Sequence, residues 1–233
     1  MTIKRMPARI RKVTTLSPTA KEVTLQLPES LGFLPGAFVN VFMEHNGARM
    51  RRAYSVSSDE DVQNTITLSI RKGSVGGMSE RFWDKGVEQV PLEIMGPLGL
   101  NTADKITGTK VFLFGFGIGV SVIKGLLPHL LRRDNITKIT VLLGSRSEEE
   151  VLYRNFFEGL SVRDPRLVLR MVISRPLDST YPFQGHLQDH VNGLDFEDAS
   201  VYICGSKVAV ESLKAKIEEG SSKPKEFLLE AFD

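Results

Sequence analysis

Residues 51–58 read Arg51-Arg52-Ala53-Tyr54-Ser55-Val56-Ser57-Ser58. They lie between two stretches with alternating apolar residues, 38–43 and 65–70, which predict β-strands. Successive side chains of a strand point to opposite faces, so Arg52 and Tyr54 would share a face and Ser55 would point the other way. A guanidinium can hold a phosphate, and a phenol ring can cover a flat aromatic ligand. The stretch therefore indicates a nucleotide-like ligand, although an ordinary barrel strand with a surface arginine has the same residues.

Six predicted strands, including this one, fill the first hundred residues. Glycine and proline turns separate them, and one short helix, Ser79–Trp83, interrupts them with Ser79 as its predicted N-cap. Many short strands with such turns favour a closed or nearly closed antiparallel β-barrel, which we expect over residues 1–103. The predicted strands are Ala8–Thr14, Ala20–Leu27, Phe38–Met43, Arg51–Ser57, Thr65–Ile70 and Val90–Met95.

After about Thr109 the sequence changes to strands that alternate with helices. This alternation predicts a doubly wound α/β domain with a parallel sheet over residues 108–233, and the first domain would end near residues 101–109. The predicted strands are Lys110–Phe114, Lys138–Leu143, Leu167–Ser174 and Ser200–Cys204. The predicted helices are Val120–Leu131, Glu148–Leu160, Gly185–Val191 and Val208–Glu219.

Composition argues against several kinds of protein. The 233 residues suffice for two domains, and 30 basic against 28 acidic residues give no support for a nucleic-acid partner. A single cysteine, Cys204, cannot form an internal disulfide or hold an iron–sulfur cluster, and the four histidines show no metal-ligand spacing. No apolar run approaches the roughly 20 residues that span a bilayer, and no signal peptide is readable. We therefore expect no metal site, no membrane span and a reduced, cytoplasmic compartment.

A glycine-rich loop follows the predicted strand that ends at Ile70 and Arg71. The loop reads Gly73-Ser74-Val75-Gly76-Gly77-Met78-Ser79. Glycines let a backbone approach a ligand closely, and the N–H groups at a helix start attract anions. The loop is a candidate diphosphate site, with Ile70, Arg71 and residues 76–79 as cofactor contacts, although a flexible turn has the same composition.

A second glycine turn, at Gly115, Gly117 and Gly119, joins the first strand of the α/β domain to a helix. A strand, a glycine turn containing Ile118 and a helix start are the setting for the diphosphate of a dinucleotide. The spacing is G-x-G-x-G rather than the commoner G-x-G-x-x-G, and a lone glycine turn is a weak signal.

Ser145 and Arg146 stand at the tip of the next predicted strand, where dinucleotide sheets meet the adenine ribose. An arginine there favours the 2′-phosphate of NADP(H), whereas the acids at residues 148–150 could offset it, and Arg146 could also simply cap the sheet edge. Cys204-Gly205 ends the last predicted strand and could let a flat ring approach closely. A lone cysteine is, however, most often a small buried hydrophobe.

Taken in order, these motifs resemble the ferredoxin–NADP reductase superfamily of flavoproteins, in its compact bacterial form without an iron–sulfur domain. The matching residues are Arg52-Ala53-Tyr54-Ser55, Gly77-Met78-Ser79, Gly96-Pro97-Leu98-Gly99, Gly115-Phe116-Gly117-Ile118, Gly144-Ser145-Arg146, Leu152-Tyr153-Arg154, Cys204-Gly205 and Glu230-Ala231-Phe232. The resemblance covers nearly the whole chain. It departs from the family pattern at Phe116, where relatives usually have Thr or Ser, and at Val120, where they usually have Pro.

The resemblance implies FAD in the barrel and NADP(H) or NAD(H) in the α/β domain. Tyr54 would cover the isoalloxazine ring, Ser55 would approach its N5 edge, and Phe232 could cover the other face. Arg52 and the helix start at residues 77–79 would bind the FAD diphosphate. Cys204 would lie near the nicotinamide. The predicted catalytic residues are Tyr54, Ser55 and Cys204, and Ala53 and Gly205 are predicted to contact the cofactors beside them.

The predicted activity is reduction of FAD by NADPH or NADH, followed by electron transfer to a small carrier protein such as ferredoxin. Two alternatives stay open at this point. The acceptor could instead be free flavin, a ferric chelate or an oxygenase partner. In another class of protein, the chain could be a non-catalytic nucleotide-binding regulatory subunit, because its glycine turn departs from the family pattern.

Overall fold

The computed structural model describes residues 1–45, 47–59 and 64–232. Contacts divide the chain into two units, residues 1–102 and 103–233. Within the described ranges, no helix combines the length and the apolar character needed to cross a membrane. The same ranges contain no group of three or more His, Cys, Asp and Glu side chains that could hold a metal ion.

The first unit is built on one antiparallel sheet of six strands. The strands are β1 (Lys4–Ser17), β2 (Ala20–Gln26), β3 (Phe38–His45), β4 (Ala48–Ser55), β5 (Thr65–Arg71) and β6 (Leu92–Leu98), with the short helix α1 (Met78–Arg81) between β5 and β6. They are hydrogen-bonded in the order β4-β3-β6-β1-β2-β5. The two edge strands approach each other where Val56 bridges Leu68 and the Ser57 N–H donates to the Thr67 carbonyl at 2.8 Å, which nearly closes the barrel.

Alternation along the strands decides which side chains fill the barrel. Val23 pairs with Leu68 and Leu25 with Ile66 across β2 and β5, and all four side chains are at most 1% exposed. The residues between them are polar and point outward, as expected of a sheet with one face on the core. Burying each such apolar side chain contributes about 1.5–3 kcal/mol, which fixes the face of each strand that turns inward.

The second unit is a parallel sheet of five strands flanked by helices. Its strands are β7 (Lys110–Phe116), β8 (Lys138–Ser145), β9 (Leu167–Ile173), β10 (Ala199–Ser206) and β11 (Glu226–Phe232), and its helices are α2 (Val120–Leu131), α3 (Arg154–Arg163) and α4 (Lys207–Glu219). The strand order is β11-β10-β7-β8-β9, and every pair is parallel. The barrel and the parallel α/β sheet together confirm the predicted fold class.

Three elements of the second unit differ from the sequence prediction. The pattern did not indicate β11, which forms because Glu226–Phe232 pairs in register with β10. Helix α3 begins at Arg154 rather than Glu148, since Tyr153 has a φ of +57° and interrupts the helix there. The predicted helix Gly185–Val191 is a single 3₁₀ turn, Leu187–His190.

Hydrogen bonds from Arg166 link the segment before β9 to the end of α2 and the residues after it. Its guanidinium donates to the backbone carbonyls of Leu131, Arg133 and Ile136 and pairs with Asp164 at 2.7 Å. A hydrogen bond to a charged group contributes about 1.5–3 kcal/mol, so we expect Arg166→Ala to lower the free energy of unfolding by about 2 kcal/mol. Urea unfolding followed by circular dichroism measures the loss. Arg166→Lys lacks the planar fork and should recover only part of it, and an Arg166→Ala protein of wild-type stability would contradict the prediction.

Candidate functional site

The edge strand β4 carries a cation, an aromatic ring and a hydroxyl close to its carboxyl end. Arg52 lies opposite Val41 and Tyr54 opposite Val39, and both valines are fully buried, so Arg52 and Tyr54 share the inner face as the alternation predicts. Tyr54 is 8% exposed, whereas Arg52 is exposed to solvent. Ser55 is the last residue of the strand and is half-buried.

A hydrogen bond between side chains joins β4 to helix α1. The Tyr54 hydroxyl lies 2.9 Å from the Ser79 hydroxyl, and the Tyr54 ring packs edge-on against Phe82 with 6.0 Å between centroids. Burial raises the pKa of the Tyr54 phenol, which therefore stays neutral. The predicted N-cap role of Ser79 is wrong: α1 begins at Met78 with Gly77 as its N-cap, and the Ser79 hydroxyl bonds Tyr54 instead.

The glycine-rich loop before α1 presents a backbone N–H to an anionic oxygen. Gly76 has a φ of +80°, which favours glycine, and a Cβ added there would meet no atom within 4 Å. Its N–H donates to the Glu80 carboxylate at 2.6 Å. A phosphate oxygen is an acceptor of the same kind, so the loop fits a diphosphate provided that Glu80 releases this N–H.

The structure separates the other predicted FAD contacts into core and surface residues. The side chains of Ile70 and Met78 are 0% and 4% exposed and belong to the barrel core, so their backbone atoms are the parts that could contact a cofactor. Arg71 ends β5 and Ala53 lies on β4, and both are exposed. Fewer of the predicted residues can therefore contact FAD through their side chains than the sequence suggests.

The parallel sheet gathers the predicted nucleotide-binding residues at its carboxyl edge. From β7 the chain moves outward through β8 to β9, and β10 then returns to the other side of β7. Ligands of open α/β sheets bind at such a switch point, outside the carboxyl ends of the strands. Gly117 and Ile118, both half-buried, follow β7 there. The other four strands end at this edge with Ser145, Ile173, Ser206 and Phe232.

The three glycines of the turn after β7 have different roles. A Cβ on Gly119 would lie 2.3 Å from the carbonyl oxygen of Cys204, and one on Gly115 would lie 3.0 Å from the Cα of Val120. These two glycines therefore permit close packing inside the protein. Gly117 has a φ of +52° and open space at its Cβ position, which makes it the glycine of this turn that could let a ligand approach.

Cys204 lies fully buried at the end of β10. Burial, and then the nearby charge of Glu230, raise the pKa of its thiol well above its usual range, so the thiol stays protonated. Glu230 is the register partner of Cys204 in β11. Sequence reasoning left Glu230 out of the site, because only the pairing of β11 brings it beside Cys204. Assigning a strand to the tail motif would have been the signal that finds it.

Gly205 makes room for a ring, but the ring is the protein's own. A Cβ on Gly205 would lie 2.6 Å from the Cβ of Phe116 and 3.2 Å from its Cδ2 atom. The close approach predicted for a flat cofactor ring at this glycine is therefore taken by Phe116, because β7 and β10 are neighbours in the sheet.

The residues at and after the tip of β8 include one that favours NADP(H) and one that favours NAD(H). Arg146 is exposed, as a residue that recognises a 2′-phosphate would be, and Ser145 beside it is half-buried. Glu148 accepts the Leu177 N–H at 3.0 Å through Oε1, and its Oε2 atom is buried without a hydrogen-bond partner among the described residues. An orphaned carboxylate oxygen is a suitable acceptor for a ribose hydroxyl, and sequence reasoning did not single it out.

Comparison with known proteins identifies the family. Residues 7–102 match the family model of the oxidoreductase FAD-binding domain, and residues 113–214 match that of the oxidoreductase NAD-binding domain. The chain is 28% identical over 208 residues to ferredoxin–NADP reductase B of Sorangium cellulosum, and the alignment covers 85% of each protein. The chain belongs to the ferredoxin–NADP reductase superfamily.

Two further relatives of the reductase are longer than this chain. It is 25% identical over 231 residues to DmpP, the reductase component of a phenol 2-monooxygenase from a Pseudomonas species, and the alignment covers 96% of this chain but 64% of DmpP. Among solved structures, the Amycolatopsis reductase GcoB superposes with a TM-score of 0.87 at 23% identity, over 99% of this chain and 70% of GcoB. Likeness at that identity establishes the fold.

These matches confirm the predicted family, the FAD and nicotinamide cofactors, and the enzyme class, an NAD(P)H-dependent flavin oxidoreductase. The roles of individual residues of the reductase stay predictions. The structure brings Tyr54 together with Ser79, and Cys204 together with Gly119, which are pairs from distant parts of the chain.

Proposed function

We propose that the reductase passes hydride from NADPH or NADH to FAD and then sends electrons singly to a separate carrier protein such as ferredoxin. The barrel domain, residues 1–103, holds FAD, and the α/β domain, residues 108–233, holds the nicotinamide nucleotide. The observation that carries the proposal is the Tyr54–Ser79 hydrogen bond, since it joins the arginine–tyrosine–serine strand to the glycine-rich loop. When bound, FAD supplies the change from two-electron to one-electron transfer.

In the barrel domain, the proposed roles follow from position and order. Ser79 holds the Tyr54 hydroxyl at 2.9 Å and Phe82 packs against the ring, so the Tyr54 ring keeps one plane for a flavin to lie against. Ser55 ends β4, and its hydroxyl there can hydrogen-bond a heteroatom at the flavin edge. The exposed guanidinium of Arg52 is the charged donor for the diphosphate.

In the α/β domain, Gly117 admits the nucleotide diphosphate, and the nicotinamide lies near the carboxyl end of β10, where the Cys204 side chain is fully buried. Because burial keeps the Cys204 thiol protonated, this residue puts no thiolate charge near the nicotinamide. Hydride transfer needs its two atoms about 3–3.5 Å apart, which favours small residues beside the reacting rings.

An anaerobic titration of the purified protein with NADPH and with NADH tests the proposed activity. The flavin absorbance should bleach with one equivalent of the preferred nucleotide, and the relative affinity for the two shows whether Arg146 or Glu148 dominates at the ribose. A protein that binds flavin but is bleached by neither nucleotide would sink the proposal and favour a regulatory nucleotide-binding subunit.

The positive charge on the outer surface of the barrel favours an acidic protein as the electron acceptor. Four exposed arginines of β1 and β4, which we call the arginine face, are Arg5, Arg9, Arg49 and Arg51. Arg5 and Arg49 flank the Phe42 ring, at 5.2 and 4.8 Å from its centroid, and both pair with Glu93. A basic face steers an acidic partner and raises its association rate, and a small acidic carrier such as ferredoxin fits that requirement.

Charge reversal at Arg9 and Arg51 should weaken transfer to an acidic ferredoxin without affecting flavin reduction. We expect the KM for ferredoxin at low salt to rise by about tenfold, because like charges now oppose association, and the difference to shrink as salt screens it. Steady-state transfer at several ionic strengths measures this. The control is the same change of charge at Arg163 and Lys85, which are exposed outside the arginine face. Equal KM values for both double variants would contradict the prediction.

A component of an oxygenase is the second candidate acceptor, since DmpP serves a phenol 2-monooxygenase. A third candidate, free flavin, is favoured by one contact: Glu80 occupies the Gly76 N–H that an FAD diphosphate would use. Gel filtration separates these candidates. Flavin that stays with the protein supports a protein acceptor, and flavin that dissociates during the run supports flavin as a substrate.

A further inference from the structure

Phe116 occupies the switch point of the parallel sheet. It is the last residue of β7 and pairs in register with Gly144 of β8. On the other side of β7, the pairing of Gly115 with Cys204 puts Gly205 of β10 beside Phe116. A large apolar side chain therefore stands in the crevice where a sheet of this topology binds its ligand.

The two neighbouring glycines fit the Phe116 ring from both sides. A Cβ on Gly205 would come within 3.2 Å of the ring atom Cδ2, and a Cβ on Gly144 would come within 3.3 Å of Cδ1. The ring thus reaches from one neighbouring strand towards the other, and any larger residue at either position would press on it. This packing restricts the ring to one orientation, which is what a ligand-binding surface requires.

The Phe116 ring is only partly buried. Phe112 and Phe114 precede it on the same side of β7, are 5% and 0% exposed, and stack with an angle of 7° between their planes. Phe116 packs against the same cluster but is half-buried. The aromatic row therefore continues outward to the carboxyl edge and leaves part of its last ring accessible there.

We propose that Phe116 is a specificity-determining residue whose ring contacts the nicotinamide and binds its oxidised, cationic form more tightly than its reduced form. The inference rests on the proposed function, because it assumes a nicotinamide nucleotide at this edge. The physical reason is the negative face of an aromatic ring, which attracts a pyridinium cation and has no such attraction for the neutral dihydronicotinamide. A Thr or Ser at this position would not provide that surface.

The experiment compares ligands that differ only in the nicotinamide ring. Calorimetry on the purified flavoprotein measures Kd for NAD⁺, for ADP-ribose, which lacks the ring, and for tetrahydro-NAD, an unreactive neutral analogue; if the titration selects NADPH, the 2′-phosphorylated ligands replace them. In Phe116→Leu we expect NAD⁺ to bind about 3- to 10-fold more weakly, ADP-ribose within twofold of wild type, and tetrahydro-NAD to be affected less than NAD⁺. Phe116→Tyr keeps the ring and should retain the wild-type pattern.

Three results would overturn the role of Phe116. One is an unchanged Kd for NAD⁺ in Phe116→Leu, and another is an equal loss for ADP-ribose, which would indicate a general change in the site. The third is an equal loss for tetrahydro-NAD, which would show that the ring does not prefer the cation. If Phe116→Leu does not fold, Phe116→Met replaces it as a flexible non-aromatic side chain and is read in the same way. A wild-type protein that binds none of the three ligands would instead overturn the proposed function. The failures of the two proposals are therefore distinguishable.

Discussion

Replacing Gly119 by alanine is expected to lower the free energy of unfolding by about 3 kcal/mol or more. The added Cβ would lie 2.3 Å from the carbonyl oxygen of Cys204 and 2.5 Å from its carbonyl carbon, well inside contact distance. Both contacts are backbone atoms of a central strand, so no flexible side chain can move aside. Overpacking that forces the backbone to shift typically costs about 1–3 kcal/mol and occasionally more, and this clash is severe.

Gly159→Ala is the matched control for this substitution. Gly159 lies in helix α3, and a Cβ there would meet no atom within 4 Å. Alanine in a helix interior is favoured over glycine by roughly 0.5–1 kcal/mol, so this variant should be slightly more stable than the wild type. Urea unfolding followed by far-ultraviolet circular dichroism compares them, since α2, α3 and α4 give the second unit most of the helical signal. Equal midpoints for the two variants would rule out the close approach of Gly119 to β10.

Removing the Ser55 hydroxyl should slow flavin reduction by about 10²-fold while FAD stays bound. Ser55 ends β4 and is half-buried, next to Tyr54. Loss of one well-placed hydrogen-bond donor at a reacting group typically reduces the rate by about 10²–10³-fold. Because Tyr54 and Arg52 remain, the affinity for FAD should change little. Stopped-flow mixing of Ser55→Ala with excess NADPH or NADH, monitored by flavin absorbance, measures the rate.

Ser55→Thr provides the control, since it keeps a hydroxyl at the same position and should retain most of the rate. The flavin content of each purified variant, read from its absorbance ratio, separates a slower reaction from lost cofactor. If Ser55→Ala reduces its flavin at the wild-type rate, Ser55 has no part in the reaction and its role is limited to the end of β4.

Patterns that repeat along the chain are sufficient to predict its two kinds of sheet. The alternation of apolar and polar residues predicts the barrel strands. The succession of strand, helix and strand after Thr109 predicts the parallel sheet. Alternation also puts Arg52 and Tyr54 on one face, which the β3–β4 register confirms. These features are local, because a strand shows its two faces within a few residues.

Features that depend on contacts between distant segments could not be predicted from the sequence patterns. Strand β11 forms by pairing with β10, and that pairing alone brings Glu230 beside Cys204. Ser79 is an acceptable N-cap by its residue type, yet its hydroxyl bonds Tyr54 instead.

The glycines show the division most clearly. Sequence by itself determined that Gly115, Gly117 and Gly119 stand where β7 gives way to α2, and that Gly205 comes directly after the apolar run that ends at Cys204. Tertiary structure alone decided that Gly119 makes room for the backbone of β10, that Gly205 makes room for Phe116, and that Gly117 faces open space. The physical reason is that the use of a missing Cβ depends on the atom that faces it, and that atom comes from another strand of the sheet.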